Sequence, residues 1–399
     1  MTDDLIAGRQ VFTSNAPKIG FAPGLDGLRA ISLLMIFLVH ANFEIFASFA
    51  GSVDVFFVVS GFLITTLLME ERRNDGRIDI KKFYLRRALR LFPTLFTVLG
   101  LTMLAALATG NSDFIHDTWN DVLSAFFYVY HVVHPVHAAE LTQARLPELR
   151  ELRPFIHLWS LSVEEHFYLV SAFLIAFIIK RRLVSQLAIA FTALWVACVT
   201  ARLLGFVGPR LFLYQRPDSL LLGVVAAIAN AKAPTQLSAS QNRLLGRLGV
   251  AATAVGLFSI FIGTKFAKVV GLWVHFIPPK GKTISDGMYW GRFGFSISAA
   301  ACAILVVVVV RLPDHRLSKM LAWKPLLPIG RRSYVLYLFH VPVFIVLLKA
   351  LPNHQNVVPL LYLVLFPLIS EIVHRKIEKP ALKLKNRFEG KGIVGVPVS

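Results

Sequence analysis

The sequence predicts an all-α protein, a polytopic transmembrane helix bundle of about ten spans. Of its 399 residues, 56% are hydrophobic and only 16% are charged, whereas soluble domains carry about 25% charged residues. The mean hydropathy is +0.63. Apolar runs close to the ~20 residues that a helix needs to cross a bilayer recur along the chain. These three observations predict an integral membrane protein.

Ten apolar runs define the predicted spans. The first run is too long for a signal peptide and no small-residue cleavage site follows it, so we expect it to remain as the first span. Several later runs are short for a bilayer, and we expect their flanks to extend them. The predicted bounds are 28–47, 53–70, 93–109, 166–179, 184–203, 217–230, 248–263, 291–310, 333–350 and 357–374.

Lysine and arginine concentrate in alternate connections between these spans. The positive-inside rule places those connections and both chain termini in the cytoplasm. On that topology the net charge of +19 lies on the cytoplasmic side, where anionic lipid headgroups account for it without a nucleic-acid partner. The predicted organisation is a cytoplasmic N-terminal segment 1–27, a transmembrane domain 28–374 and a basic cytoplasmic tail 375–399.

The first span carries Arg29 near its start and His40 beyond its middle. Such residues are costly in a spanning helix and indicate a functional site. Eleven residues of α-helix turn through about 1100°, so the two side chains share a face and lie roughly 16 Å apart along the axis. We predict that they hold opposite ends of one extended ligand, with His40 as a general base. The alternative is a buried histidine bonded to a backbone carbonyl.

The second span contains Asp54 at its outer end and the pair Ser60-Gly61 near its middle. Small residues in a spanning helix allow close contact with a neighbour, which is one interpretation of Ser60 and Gly61. A carboxylate near the outer membrane level needs a partner. Asp54 is therefore expected to orient His40 or to contact a substrate hydroxyl, unless it caps the helix.

Three arginines lie in the segment FYLRRALRLFP, residues 83–93. Arg87 and Arg90 are three apart and Arg86 and Arg90 are four apart, so each pair shares a helix face. Like charges on one face repel unless an anion binds between them, and guanidinium forks suit phosphates. We predict a phosphate clamp on the cytoplasmic side, where coenzyme A supplies such phosphates. The alternative is a cluster that only sets the topology.

The segment LWSLSVEEHFYL, residues 158–169, places further polar groups at the membrane edge. Ser162 followed by Glu165 has the spacing of a capping box, which predicts that a helix starts at Ser162. Glu164 then lies in the first turn and shares a face with Tyr168, four residues on. Capping does not explain Glu164, for which we predict a substrate or catalytic role.

No metal site is expected. His131, His134 and His137 have a repeated spacing, but Pro135 interrupts it and no cysteine or close carboxylate joins them. Cys198 and Cys302 both lie inside apolar runs. We therefore interpret the two cysteines as small core residues.

These stretches together resemble the acyltransferase-3 family of integral membrane O-acyltransferases, over roughly residues 20–385. Arg29 and His40 match the family's R/K-x10-H pattern. Residues 56–62 match its FFxxSGF pattern, which includes Ser60.

Arg87 and Arg90 match the family's RxxR pattern, and Ser162, Glu164 and Tyr168 match its SxExxxY pattern. Four patterns in the family's order make the resemblance specific. Other segments that look like family segments are RPDSLLLG at 216–223, which contains Asp218, GRRSYVLYLFHVPV at 330–343 and IEKP at 377–380.

The resemblance implies an O-acyltransferase of the bacterial inner membrane. Its expected donor is cytosolic acyl-CoA, with acetyl-CoA first, and its expected acceptor is a hydroxyl of a cell-envelope glycan or glycolipid. In that scheme His40, Asp54 and Glu164 are the catalytic residues. The CoA would lie against Arg29, Arg86, Arg87 and Arg90, and Ser60, Ser162, Tyr168 and Asp218 would contact substrate or hold the site together.

Several alternatives stay open from the sequence. The acceptor is alternatively a small secondary metabolite such as a macrolide, and a direct transfer competes with an acyl-histidine intermediate. A transporter or flippase is the rival class, although no inverted repeat is visible. Many family members that modify surface glycans continue into an esterase-like domain, whereas this sequence stops at Ser399. A partner protein or a homodimer is therefore an open expectation.

Overall fold

A computed structural model describes residues 14–20, 22–41, 43–133, 153–204, 216, 218–275, 288–354 and 356–386. Every regular element in these ranges is helical. The longer helices are α1 Pro23–Ala41, α2 Ser52–Asp75, α3 Ile80–Thr109, α4 Ser112–Phe126, α5 Leu158–Arg181, α6 Val184–Leu203, α7 Asp218–Lys232, α8 Ala239–Ile262, α9 Trp290–Arg311, α10 Ser333–Ala350 and α11 Val358–Val373.

Nine helical segments in the described ranges are long and apolar enough to cross a membrane. The remaining predicted span, 217–230, corresponds to α7, which has 15 residues and is shorter than a full crossing requires. The prediction of an all-α polytopic bundle is confirmed. The assignment of one side to the cytoplasm stays a prediction, as do the boundaries of the domain at residues 28 and 374.

Three helices begin well before their predicted N-terminal bounds. The third predicted span starts at residue 93, whereas α3 begins at Ile80 and includes the three arginines. The fourth predicted span starts at residue 166 and the seventh at residue 248, whereas α5 begins at Leu158 and α8 at Ala239. Hydropathy ends a span at the first charged residues, but Arg86, Arg87 and Glu165 lie inside continuing helices and bond to neighbouring helices.

The prediction that Ser162 starts a helix is wrong. His157 is the N-cap residue of α5, and the Ser162 hydroxyl donates to the carbonyl oxygen of Leu158, one turn back, at 3.0 Å. Glu165 forms an ion pair with another helix and does not cap α5. A capping box and a Ser and Glu inside a helix have the same local spacing, so only the position of the first turn separates them.

Helices α2 and α7 approach each other at two glycines. A Cβ atom on Gly61 would lie 2.2 Å from the carbonyl oxygen of Leu220, and one on Gly223 would lie 2.2 Å from that of Val58. Both positions therefore need glycine, which confirms the interpretation of Gly61 as a close-contact residue. The tight pairing is accompanied by a contact of Arg216, two residues before α7, with Asp54 in the first turn of α2.

Two groups of buried apolar side chains hold the bundle together. One involves α1, α2, α5, α6, α7 and α9, and its members Val58, Phe62 and Val306 are fully buried. The other involves α3, α5, α10 and α11, with Leu95 and Leu338 equally buried. Helix α5 contributes to both groups, so a side chain on α5 can reach the space between them.

Candidate active site

A cavity of about 180 Å³ lies between the two apolar groups. Its walls come from α1, α2, α3, α5 and α10, which are helices widely separated in the sequence. Six of the residues predicted from the sequence line it, namely Arg29, Ser60, Arg87, Arg90, Glu164 and Tyr168. Within an otherwise apolar bundle, this concentration of polar groups makes the cavity the candidate active site.

A hydrogen-bonded trio forms one wall. The Ser60 hydroxyl on α2 donates to Oε1 of Glu164 on α5, and the Tyr168 hydroxyl donates to the same oxygen at 2.7 Å. Ser60 and Tyr168 are both buried. The two hydroxyls hold the Glu164 carboxylate in one orientation at the cavity wall.

Arg87 is bound tightly by protein groups. Its guanidinium donates two hydrogen bonds to the Glu165 carboxylate, one of them from Nε at 2.8 Å. It also stacks over the Tyr168 ring, with 3.2 Å from Cζ to the ring centroid. The bidentate pair and the stack fix Arg87 beside the trio.

Arg86 points away from the cavity and donates to Oε2 of Glu71 at 3.0 Å. Two of the three arginines of the predicted clamp thus already have carboxylate partners. Arg29 and Arg90 differ, because neither forms a hydrogen bond or an ion pair with any part of the chain that the structure describes. Arg90 is exposed where it lines the cavity. Arg29 and Arg90 are therefore the guanidiniums most available to an anionic ligand.

His40 does not line the cavity but is linked to the wall residue Tyr337 through the ring of His340. Its Nδ1 is 2.9 Å from the carbonyl oxygen of Ile36, and its ring packs edge-on against His340 of α10 at 4.9 Å. Tyr337, which lines the cavity, contacts His340 at 5.2 Å. His340 in turn contacts His157 at 4.9 Å.

His340, His157 and Tyr337 were not singled out from the sequence as site residues. A signal for His340 was present, because it is an imidazole inside an apolar run, as His40 is. No comparable signal existed for His157, which lies in a connection that looked like an ordinary polar loop. Helical periodicity relates residues on one helix only, so it does not reveal that these three rings meet.

Asp54 and Asp218 each form a buried ion pair away from His40. Asp54 accepts from Nη1 of Arg216 at 2.5 Å and from the Ser219 hydroxyl at 2.7 Å. Asp218 accepts two hydrogen bonds from Arg202, at 3.0 and 2.6 Å. The structure shows no contact between Asp54 and His40, so the idea that Asp54 orients His40 directly is not supported. Their catalytic and binding roles stay predictions.

Among the described residues, no three His, Cys, Asp or Glu side chains lie close enough together to hold a metal ion. Of the histidines weighed as a metal motif, His131 packs against His166 at 4.8 Å. The other two, His134 and His137, lie outside the described residues. Cys198 and Cys302 are free thiols.

Comparison with known proteins agrees with this arrangement. The sequence profile of the acyltransferase-3 family, described as an acyltransferase domain, matches residues 23–370. The chain is 28% identical over 373 residues to the O-acetyltransferase OatA of Staphylococcus aureus strain NCTC 8325 / PS 47, which covers 91% of this chain and 57% of OatA. It is 29% identical over 368 residues to the putative peptidoglycan O-acetyltransferase YrhL of Bacillus subtilis strain 168, covering 90% of this chain and 55% of YrhL. No solved structure matches the chain.

The chain spans about half the length of these curated relatives. The family profile nevertheless covers most of the chain and includes every residue that lines the cavity. This chain therefore belongs to the acyltransferase-3 family.

Proposed function

We propose that this protein is an O-acyltransferase of the bacterial inner membrane that moves an acetyl group from acetyl-CoA to a hydroxyl of a cell-envelope carbohydrate. The observation that carries the proposal is one cavity in which Arg29 and Arg90 have no hydrogen-bond or ion-pair partner among the described residues, with the His40 imidazole linked to the cavity wall through His340 and Tyr337. The names of two relatives support the acetyl group, and the name of YrhL supports peptidoglycan as the first acceptor to test.

The donor would enter from the basic end of the bundle. Arg90 at the exposed part of the cavity and Arg29 within it would bind phosphates of coenzyme A. Arg87 would keep the wall rigid through Glu165 and Tyr168. The thioester would then extend along α1 toward His40, which is eleven residues, or roughly 16 Å, from Arg29.

His40 would act as the general base. Its Nδ1 faces a carbonyl oxygen, which only accepts hydrogen bonds, so the proton of the neutral ring is on Nδ1 and Nε2 carries the basic lone pair. Nε2 would remove the proton of the acceptor hydroxyl while that oxygen attacks the thioester carbonyl. The C–S bond then breaks and the thiolate takes a proton. General-base help of this kind contributes about 10²–10⁴-fold.

Purified protein in lipid nanodiscs, given [¹⁴C]acetyl-CoA and peptidoglycan oligosaccharides, tests the proposal. We expect label on the oligosaccharide with the wild-type protein and at least a hundredfold less with His40→Ala. Ser32→Ala is the matched control, because Ser32 is buried on the same helix and its hydroxyl donates to the carbonyl oxygen of Leu28, one turn back, at 2.8 Å. A His40→Ala protein as active as wild type would exclude the base assignment. A protein that, in sealed liposomes, moves a labelled substrate across the bilayer unchanged would be a transporter.

A further inference from the structure

Three imidazole rings form a continuous row inside the bundle. His340 stands in the middle, with His40 on one side and His157 on the other, each at a centroid distance of 4.9 Å and in edge-on geometry. His340 and His157 are only 2% and 3% exposed. The three histidines, His40, His340 and His157, come from α1, from α10 and from the residue before α5, so the row exists only in the folded bundle.

The backbone sets the protonation of two of these rings. Nδ1 of His40 is 2.9 Å from the carbonyl oxygen of Ile36, and Nδ1 of His340 is 2.6 Å from that of Tyr337. Because a carbonyl only accepts, both neutral rings carry their proton on Nδ1. Both Nε2 atoms are then lone-pair acceptors, and two acceptors cannot bond to each other without an additional proton.

Nε2 of His340 is buried and has no hydrogen-bond partner in the described ranges of the chain. A buried polar atom without a partner costs about 1–3 kcal/mol, so such atoms are rare and call for an explanation. The ring contact with His40 offers one. An N–H···N hydrogen bond across this ring contact, with the two nitrogens about 2.9 Å apart, would give Nε2 of His340 a partner once a proton is present.

The third ring, His157, does not compete with His40 and His340 for a transferred proton. Burial, with a smaller contribution from His40, lowers the pKa of His157 to about 3, so His157 stays neutral at working pH. Tyr337 donates its hydroxyl proton to the carbonyl oxygen of His157 at 2.8 Å. The charged groups that act on Tyr337 from neighbouring elements are Glu164 and Arg216. Neither of them forms a hydrogen bond or an ion pair with His40 or His340 among the described residues.

We propose that His340 is a positioning residue for the base, because the proton that His40 takes from the acceptor is shared between Nε2 of His40 and Nε2 of His340. This inference rests on the proposed function. The acceptor O–H bond breaks and its proton passes to the imidazole pair. The oxygen forms the new C–O bond, the C–S bond breaks with its electrons on sulphur, and sulphur takes the proton from the pair. Acyl-CoA and alcohol become ester and free CoA, with no other reactant.

Sharing the proton has a physical advantage at this location. A single imidazolium is costly in a low-dielectric bundle. A charge-assisted hydrogen bond is roughly twice as strong as a neutral one, and it forms only when the proton is present. His340 would therefore raise the proton affinity of His40 without occupying Nε2 in the resting state.

The test measures kcat for label transfer from [¹⁴C]acetyl-CoA to peptidoglycan oligosaccharides, in nanodiscs and across pH. For His340→Phe, which keeps a ring but has no nitrogen, we expect a 10- to 100-fold lower kcat with an unchanged KM for acetyl-CoA. The acid limb of the kcat profile should move to lower pH by about one unit, because His40 alone is the weaker base. A merely structural role would lower the yield of folded protein without moving that limb.

His131→Phe is the matched control, because His131 is also buried and in ring contact with another histidine. If His340→Phe does not fold, the pH profile of kcat is measured for His340→Gln instead, with the same expected shift of the acid limb. A folded variant with the wild-type acid limb overturns the shared proton, whatever its kcat. A wild-type protein that transfers no label instead contradicts the proposed function, so the two failures are distinguishable.

Discussion

The Ser60 hydroxyl donates a hydrogen bond to the Glu164 carboxylate across 104 positions of the chain. Tyr168 donates to the same oxygen from one turn away on α5. The carboxylate is thereby fixed to α2 and to its own helix at once. Three residues noted separately in the sequence are one structural unit at the cavity wall.

Removal of either partner of this bond should show that they act together. We expect Ser60→Ala and Glu164→Gln each to slow acetyl transfer, and the double variant to be little worse than the slower single one. Residues in one hydrogen-bond network couple by about 0.5–3 kcal/mol. The measurement is a double-mutant cycle on the transfer rate, with Ser32→Ala as the control. Additive single effects would contradict a shared role.

Arg90→Gln should weaken donor binding without unfolding the protein. Arg90 forms no hydrogen bond or ion pair with a carboxylate of the described residues and acts on Asp26 and Glu165 only at longer range, so its removal breaks no ion pair. A lost hydrogen bond between charged groups costs about 1.5–3 kcal/mol, which predicts a KM for acetyl-CoA about 10- to 100-fold higher. Arg29→Gln should act in the same direction.

The control for this pair is Arg243→Gln, because Arg243 is an exposed arginine on α8 that does not line the cavity. Donor affinities equal to wild type in both Arg90→Gln and Arg29→Gln would remove the phosphate-binding role of the cavity.

Asp54→Asn should destabilise the bundle by about 3–5 kcal/mol, because it leaves Arg216 charged and buried without its carboxylate. Adding Arg216→Met should recover a large part of that loss, since no buried charge then remains. Thermal unfolding in detergent measures both effects. A stable but inactive Asp54→Asn protein would instead assign Asp54 to the chemistry.

The stability of the protein should fall between pH 7 and pH 5 because of His157. Its pKa in the folded protein is about 3, against an ordinary value of 6.5. For a histidine with a lowered pKa, the stabilisation is present above pH 6.5 and is lost progressively as pH falls toward the folded value. The expected loss from this residue between pH 7 and pH 5 is about 2 kcal/mol.

Thermal unfolding of wild type and His157→Gln at pH 5, 6 and 7 checks this slope, which should be smaller in the variant. Asp121 acts in the opposite sense, because burial raises its pKa to about 6 and its stabilising contribution is lost as pH rises through that value. Both proteins contain Asp121, so its effect cancels in the comparison. Equal slopes would show that the pKa of His157 in the folded protein is close to its ordinary value.

Much of this protein follows from the order of its residues alone. Apolar runs of bilayer length determine where helices lie, because lipid leaves backbone groups no other partner. Ionisable residues inside the first run identified Arg29 and His40, and Glu164 was identified at the membrane edge, because the cost of such groups in a membrane requires a reason. The motif spacings were sufficient for the family resemblance, which the family profile confirmed.

Tertiary structure decided which of those groups meet. It separated Arg90, which has no hydrogen-bond or ion-pair partner among the described residues, from Arg87, which is bound to Glu165. It also brought His340 against His40, a contact that no periodicity along one helix can specify. The reason is physical, because helix geometry relates side chains a few residues apart, whereas contacts between helices depend on close packing such as that at Gly61.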